Sequence, residues 1–255
     1  MSQYKAVVFD IGGVVAQSPL AGIAKYEKKH GIPVKYIDAN IAARNDSGGA
    51  FQRMERGELH PPKFYAIFGA ELSEPGNIEV YKKYLKLKGR PIPDLPKEGY
   101  KIDGEELFHM MMGEAKNLDP LVVNAIKKLN ASGKFKVAAL TNNYQPAEGA
   151  DKDESILSSD SHSPQAVNLR ELFHEFVESS KTGMRKPNPK IYQHTCDLIG
   201  VKLEESIFLD DIGTNLKAAK KLGMATIQVN IGESRKAIQQ LEKLTGLSLI
   251  DDSKL

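Results

Sequence analysis

The fold is decided by residues 6–13, which have the sequence AVVFDIGG. Residues 6–9 are apolar and include two β-branched valines, a pattern that predicts a buried strand. Asp10 ends this run, and Gly12 and Gly13 break the extended pattern. Strands buried on both faces are typical of parallel sheets covered by helices. We therefore expect an α/β fold whose first strand ends in a carboxylate.

A long helical block follows this strand. Apolar residues recur at helical spacing from about residue 20 to residue 112, except in residues 89–103, which are rich in Pro, Gly and Lys and predict a loop. Because the block interrupts the core after its first strand, we interpret residues 18–113 as an inserted α-helical cap domain. The predicted helices cover residues 20–30, 34–44, 49–57, 60–69, 76–88 and 104–113.

Strands and helices alternate after the cap, beginning at Asp119, which is a predicted helix N-cap because Pro120 follows it. Such alternation predicts a Rossmann-like parallel sheet flanked by helices, formed by residues 1–17 and 114–255. Residues 145–166 are rich in Asp, Ser, Glu and Gly and predict a mobile surface excursion. The predicted strands cover residues 136–141, 176–178, 206–210 and 225–229, and the later helices cover residues 188–199, 213–222 and 233–245.

The composition is that of an ordinary globular protein, with 255 residues, a net charge of +2, 41% hydrophobic and 27% charged residues. Near-zero net charge and the absence of a stripe of aromatic and basic residues argue against nucleic acid as a partner. The sequence has no transmembrane run and no cleavable N-terminal signal, so we expect no membrane partner. The single cysteine, Cys196, excludes an intrachain disulfide and is predicted to be a buried structural thiol.

Several predicted strands end in, or are followed by, polar residues of the kinds that serve as catalytic groups or metal ligands. The carboxyl ends of parallel strands meet at one edge of the sheet, so we expect these side chains to lie close together. Two acids from separate strands can hold one Mg²⁺, while a hydroxyl group and a lysine can hold a phosphoryl group. The residues are Asp10, Thr141, Asn142, Lys186, Asp210 and Asp211.

Each of these residues alone has a simpler explanation. Asp10 is also typical of a helix N-cap, Asn142 of a turn and Lys186 of a solvated loop. The pair Asp210 and Asp211 is compatible with a capping Asp beside an exposed one. The combination is far more specific, because it supplies the groups needed for phosphoryl transfer through a carboxylate nucleophile.

Four segments resemble the motifs of the haloacid dehalogenase-like hydrolase superfamily, in the family's order and across nearly the whole chain. They are residues 9–15 (FDIGGVV), 140–142 (LTN), 186–187 (KP) and 209–213 (LDDIG). Residues 54–58 (MERGE) and 241–246 (LEKLTG) further resemble the N-terminal phosphatase domain of soluble epoxide hydrolase and related domains fused to acyl-CoA dehydrogenases. The resemblance implies a phosphatase acting on small phosphorylated metabolites.

The resemblance also implies roles for individual residues. Asp10 would attack phosphorus and form an aspartyl-phosphate. Thr141 and Asn142 would bind the phosphoryl oxygens, and Lys186 would balance the negative charge of Asp10 and of the transferring group. The cap would close over the substrate and select it.

A Mg²⁺ site is implied as well, formed by Asp10, the backbone carbonyl of Gly12 and Asp211, with Asp210 close behind. Gly12 departs from the family's phosphatase pattern, which usually has at this position an Asp that protonates the leaving alcohol and then activates water. General acid–base catalysis contributes roughly 10²–10⁴-fold. We therefore expect transition-state stabilisation to be reduced by about 3–5 kcal/mol for a poor leaving group, and by less for acyl or aryl phosphates.

Two other functions stay open. A dehalogenase-type hydrolase releases halide without a proton and needs no Mg²⁺, so the acid pair Asp210 and Asp211 argues against it. A catalytically impaired metabolite-binding or interaction protein on the same scaffold is favoured by Gly12. The presence of Asp10, Lys186 and the acid pair argues for an enzyme.

The last three residues, Ser253, Lys254 and Leu255, form the C-terminal tripeptide that the peroxisomal import receptor recognises. If the chain is eukaryotic and ends there, we expect it in the peroxisomal matrix, with that receptor as a partner. The alternative is a polar tail without function and a cytoplasmic protein.

Overall fold

The computed structural model describes residues 3–44, 48–115, 117–145 and 168–251. Two predictions concern other parts of the chain: the surface excursion, apart from residue 145, and the C-terminal tripeptide lie outside the described residues. Among the helices of the described ranges, none is long and apolar enough to cross a lipid bilayer.

Five parallel strands form the core sheet, as predicted. They are β1 (Ala6–Phe9), β2 (Lys136–Thr141), β3 (Glu175–Glu178), β4 (Ser206–Asp210) and β5 (Ala225–Gln228). Their order in the sheet is β3-β2-β1-β4-β5, so β1 lies in the centre with β2 and β4 on either side. Strand order reverses at β1, and in open α/β sheets ligands bind at the carboxyl ends of the strands beside such a switch point.

Six helices follow β1 and enclose an apolar core of their own. They are α1 (Leu20–Lys29), α2 (Tyr36–Ala43), α3 (Ala50–Glu55), α4 (Pro61–Leu72), α5 (Asn77–Leu87) and α6 (Gly104–Ala115). Phe64 stacks on Phe68 with ring centroids 4.8 Å apart and meets Phe108 edge-on at 5.2 Å. Met111 lies in the same core. A separate core is what an inserted cap requires, and its boundaries at residues 18 and 113 stay a prediction.

The remaining helices cover both faces of the sheet. They are α7 (Pro120–Ser132), α8 (Ser179–Thr182), α9 (Pro189–Ile199), α10 (Gly213–Lys221) and α11 (Ser234–Thr245). Val7 and Phe9 of β1 pack on the side of α7 and α11, whereas Ala6 and Val8 pack on the side of α9 and α10. This alternation explains why β1 is apolar along its whole length.

The predicted elements are confirmed with small shifts at their ends. α4 continues beyond residue 69 to Leu72, because Leu72 is buried and extends the apolar face of that helix. The sequence does not predict α8, which is a single turn and too short to show periodicity. Cys196 is fully buried in α9, as predicted, with its Sγ atom 3.7 Å from the hydroxyl of Ser206.

Candidate active site

Three carboxylates from two neighbouring strands meet at the carboxyl end of the sheet. Asp10 directly follows β1, Asp210 ends β4, and Asp211 comes next in the chain. Phe9 pairs in register with Leu209, which places Asp10 and Asp210 side by side. One oxygen from each of the three acids lies within 4.8 Å of the other two. The predicted convergence of these acids is therefore present in the structure.

Lys186 is buried beside these acids. Its ammonium Nζ lies 2.7 Å from Oδ1 of Asp10 and 2.9 Å from Oδ2 of Asp210. It also donates a hydrogen bond to the backbone carbonyl of Leu140 at 2.8 Å. With acceptors for its N–H donors and two counter-charges, this lysine is held in one position although it is only 1% exposed.

Asn142 holds the backbone of the lysine segment. Its side-chain Oδ1 accepts a hydrogen bond from the backbone N–H of Lys186 at 2.8 Å, and its Nδ2 donates to the Lys186 carbonyl at 3.1 Å. The hydroxyl of the buried Thr141 donates to the carbonyl of Asn142 at 3.5 Å. Both residues lie at the end of β2, as predicted, and binding of phosphoryl oxygens by them stays a prediction.

The two adjacent acids at the end of β4, Asp210 and Asp211, differ in their surroundings. Oδ1 of Asp210 accepts hydrogen bonds from the backbone N–H of Ile212 at 2.7 Å and from Nδ2 of Asn215 at 3.2 Å. Its Oδ2 accepts from Asn215 at 3.1 Å and from Lys186 at 2.9 Å. Both oxygens of this fully buried acid are thus occupied by protein donors. Asp210 is therefore suited to hold Lys186 in place.

Asp211 has capacity left over. Its Oδ2 accepts a hydrogen bond from the hydroxyl of Ser18 at 3.3 Å. Its Oδ1 is buried and has no hydrogen-bond partner among the residues that the structure describes. A buried carboxylate oxygen without a donor is costly, and a cation ligated there would satisfy it.

Comparison with known proteins shows the family to which the chain belongs. The model of the haloacid dehalogenase-like hydrolases matches residues 4–223. The chain belongs to this family. The resemblance drawn from the four sequence motifs is thereby confirmed.

Two named relatives match nearly the whole chain, but the chain spans less than half of the length of each. Mouse acyl-CoA dehydrogenase family member 10 is 32% identical over 247 residues, which are 96% of this chain and 20% of that protein. Pig bifunctional epoxide hydrolase 2 is 29% identical over 252 residues, 98% of this chain and 40% of that protein. A shorter match, 34% identical over 68 residues, joins 26% of this chain to 29% of a glyceraldehyde 3-phosphate phosphatase from Methanopyrus kandleri.

Solved structures support the fold. A HAD-like family hydrolase from Porphyromonas gingivalis superposes with a TM-score of 0.60 at 20% identity. The match covers 94% of this chain and 98% of that one. The α/β architecture is therefore that of the family along nearly the whole chain.

The two glycines after the first acid of this hydrolase differ in what they permit. Gly13 has φ +85°, and a Cβ atom added there would lie 2.2 Å from Oδ2 of Asp211. This glycine is therefore needed for the close approach of Asp211. A Cβ added at Gly12 would instead lie 3.1 Å from Cδ of Pro19, a contact that a small shift of the proline ring can relieve.

The charges of the cluster shift one another's protonation. Burial raises the pKa of Asp10 well above its usual value, and Asp210 and Asp211 add to this, although Lys186 opposes it. Burial and the neighbouring Asp210 raise the pKa of Asp211 to about 6. Burial alone would lower the pKa of Lys186, but the two carboxylates beside it outweigh burial and raise it. The site has more negative than positive charge, which is the condition a divalent cation would relieve.

Two positioning residues were not assigned a role from the sequence. Asn215 holds both oxygens of Asp210, and its own backbone carbonyl accepts a hydrogen bond from the hydroxyl of Tyr192 at 3.0 Å. Its place in the first turn after an acid pair is the signal that points to it. Ser18 contacts Asp211 from 193 residues away in the chain, and no local pattern marks it.

We expect Gly13→Ala to weaken Mg²⁺ binding at least about tenfold, because the added methyl group would push Asp211 out of the cluster. The measurement is isothermal titration calorimetry of the purified protein with MgCl₂. Gly133→Ala is the matched control, since Gly133 also has a positive φ of +63° but no described atom lies within 4 Å of an added Cβ. Equal Mg²⁺ affinity in Gly13→Ala and Gly133→Ala would contradict the placement of Asp211 in a metal site.

Proposed function

We propose that this hydrolase is a Mg²⁺-dependent phosphatase that cleaves small phosphorylated metabolites through an aspartyl-phosphate on Asp10. The observation that carries the proposal is the buried cluster in which the Asp10 carboxylate is joined by Asp210 and Asp211 and lies 2.7 Å from Lys186. The short match to a named phosphatase supports this substrate class.

The donor set fits a magnesium ion. Carboxylate and carbonyl oxygens are the ligands that this cation prefers, and the unpaired Oδ1 of Asp211 offers one of them. Asp10, the carbonyl of Gly12 and Asp211 would hold the ion, while Asp210 stays bound to Lys186. When bound, Mg²⁺ would neutralise charge on the phosphoryl group and polarise it.

The hydrogen bonds of Asp10 assign its oxygens to different tasks. Oδ1 accepts from the backbone N–H of Ile11 at 2.7 Å and from Lys186. We therefore assign the attack on phosphorus to Oδ2. The Oδ2–P bond forms as the bond from phosphorus to the leaving oxygen breaks, and water then attacks the aspartyl-phosphate to release inorganic phosphate. Lys186 stays protonated because its pKa is raised, so it balances the charge of the transferring group.

Gly12 shapes the substrate preference. It supplies no carboxyl group to protonate the leaving oxygen, so leaving groups that depart without a proton are favoured. Acyl and aryl phosphates have such leaving groups. A protein that binds phosphorylated metabolites with little turnover is the second candidate function, and the absence of a carboxyl group at position 12 is the observation that favours it.

We expect Asp10→Asn to lower turnover of para-nitrophenyl phosphate in Mg²⁺ at least about 10³-fold, because the amide is a poor nucleophile. Release of para-nitrophenol is measured with Mg²⁺ and after removal of metal with EDTA, which we expect to abolish it. Asp94→Asn, in the exposed loop after α5, is the control and should keep full activity. Turnover that survives in Asp10→Asn would show that the mechanism is wrong.

Gly12→Asp is expected to raise turnover of an alkyl phosphate at least about tenfold, because it restores a general acid. Turnover of an aryl phosphate should change less, since that leaving group needs no proton. Gly12→Asn is the matched control, because its side chain has the same size as Asp and makes the same contact with Pro19. Its amide group is not acidic enough to protonate the leaving oxygen. If the Asp and Asn variants are equally active on the alkyl phosphate, the missing acid is not what limits the enzyme.

Mg²⁺ affinity is expected to fall as the pH is lowered through about 6, because Asp211 has a pKa of about 6 in the metal-free protein and Asp10 is also raised. An acid whose pKa rises on folding destabilises the folded state once it ionises. The metal-free protein should therefore lose stability as the pH rises from about 4 through 6, and Mg²⁺ should restore it. Calorimetric titrations and thermal melts between pH 4 and 8 test both trends. An affinity independent of pH over this range would contradict the ligand assignment.

A further inference from the structure

A largely buried ion pair joins the helical block to the loop that carries Lys186. Nε of Arg185 lies 2.7 Å from Oε2 of Glu55, the last residue of α3, although the two residues are 130 positions apart. Their side chains are only 15% and 8% exposed. Loss of either charge is expected to destabilise the folded protein, because the other charge would then remain largely buried without this partner.

A second contact fixes the same junction. Gly57, just after α3, has φ +76°, and a Cβ atom added there would lie 2.4 Å from the backbone carbonyl of Ser180. The chain of the helical block thus touches the core backbone directly at this point. Ser180 and Arg185 belong to one short core segment, so residues 55–57 dock on residues 180–185 through two contacts of different kinds.

Lys186 lies between this junction and the core. Its backbone N–H and carbonyl are held by Asn142 on the side of β2. The residue before it in the chain is Arg185, whose side chain forms the ion pair with Glu55. The segment that carries Lys186 is therefore held by Asn142 of the core and, through Arg185, by Glu55 of the helical block.

We propose that Glu55 and Arg185 are positioning residues that couple docking of the helical block to the placement of Lys186 beside Asp10. This inference rests on the proposed phosphatase function. If α3 moves away from the core, Arg185 loses the Glu55 counter-charge, and the segment that carries Lys186 loses its anchor on the helical block. Chemistry at Asp10 then proceeds at full rate only when the helical block is docked. A pair that merely tethered the two parts would alter stability or substrate affinity and leave kcat unchanged.

The test is steady-state hydrolysis of para-nitrophenyl phosphate in Mg²⁺ by Glu55→Gln, which keeps the size of the side chain and removes its charge. We expect kcat to fall at least about tenfold while KM changes less than about threefold, because the lysine is displaced within an otherwise intact site. Glu114→Gln is the matched control. It removes an ion pair with Lys25 that joins α6 to α1 within the helical block, and it should leave kcat within about twofold.

A double-mutant cycle asks whether the two residues act as one unit. We expect Arg185→Gln to lower kcat about as much as Glu55→Gln, and the double variant to lose little more than either single variant. Circular dichroism and thermal melts confirm that each variant is folded, and Glu55→Asp, which keeps the charge, serves where Glu55→Gln does not fold. Losses that multiply in the double variant, or an unchanged kcat in both single variants, would overturn the proposal.

Hydrogen exchange separates this proposal from the phosphatase assignment. In the full-length Mg²⁺-loaded protein, we expect residues 180–186 to exchange at least about tenfold faster in Glu55→Gln than in the wild type, and at the wild-type rate in Glu114→Gln. If the wild type hydrolyses no phosphate ester, the proposed function fails, and faster exchange in Glu55→Gln alone would still support the coupling. Unchanged exchange over residues 180–186 in Glu55→Gln would overturn the coupling whatever the activity.

Discussion

The rest of the site depends on the ion pairs that the buried ammonium group of Lys186 forms with Asp10 and Asp210. Three carboxylates could not share one water-poor edge of a sheet without a counter-charge, because their mutual repulsion is little screened there. Lys186 contacts two of them, Asp10 and Asp210. Asp211 keeps a buried oxygen with no partner among the described residues. The lysine thus makes the cluster possible and leaves a charge imbalance of the sign that a divalent cation corrects.

The sheet order explains how distant residues reach one place. β1 lies between β2 and β4, so Thr141 and Asp210 are both neighbours of Asp10, although they lie about 130 and 200 positions further along the chain. The closeness has a backbone requirement, since only a residue without a Cβ fits between the end of β1 and Asp211, and Gly13 supplies it. The anchor of the lysine segment comes from β2 through Asn142. Three strands therefore bring Asp10, the proposed nucleophile, and its partners to one place.

The sequence was sufficient to predict the five strands, the helical insertion and the convergence of the acids, because apolar periodicity and strand polarity determine all three. It could not predict how Asp210 and Asp211 divide their tasks. That division depends on Asn215 and Ser18, whose hydrogen bonds are set by packing and not by spacing. Nor could it predict that the side chain of Asn142 holds the lysine backbone, since an Asn after a strand is equally typical of a turn. The sequence pattern thus predicts which side chains lie close together, whereas the hydrogen bonds in the structure determine which of their atoms remain available to bind a ligand.

Two residues in the segment between β1 and α1, Ser18 and Pro19, lie against the site. Ser18 donates to Asp211, and Pro19 packs where a side chain at position 12 would begin. The usual carboxyl group at that position would therefore have to share its space with the proline ring. In the proposed phosphatase mechanism, electrostatic stabilisation by Lys186 and by a bound cation would then have to supply what proton transfer from position 12 does not. Such a site works best on leaving groups that are already weak bases, because for these the missing acid contributes least to the barrier. In this proposal, the glycine at position 12 affects the choice of substrate, while Asp10, the proposed nucleophile, keeps its charge partners.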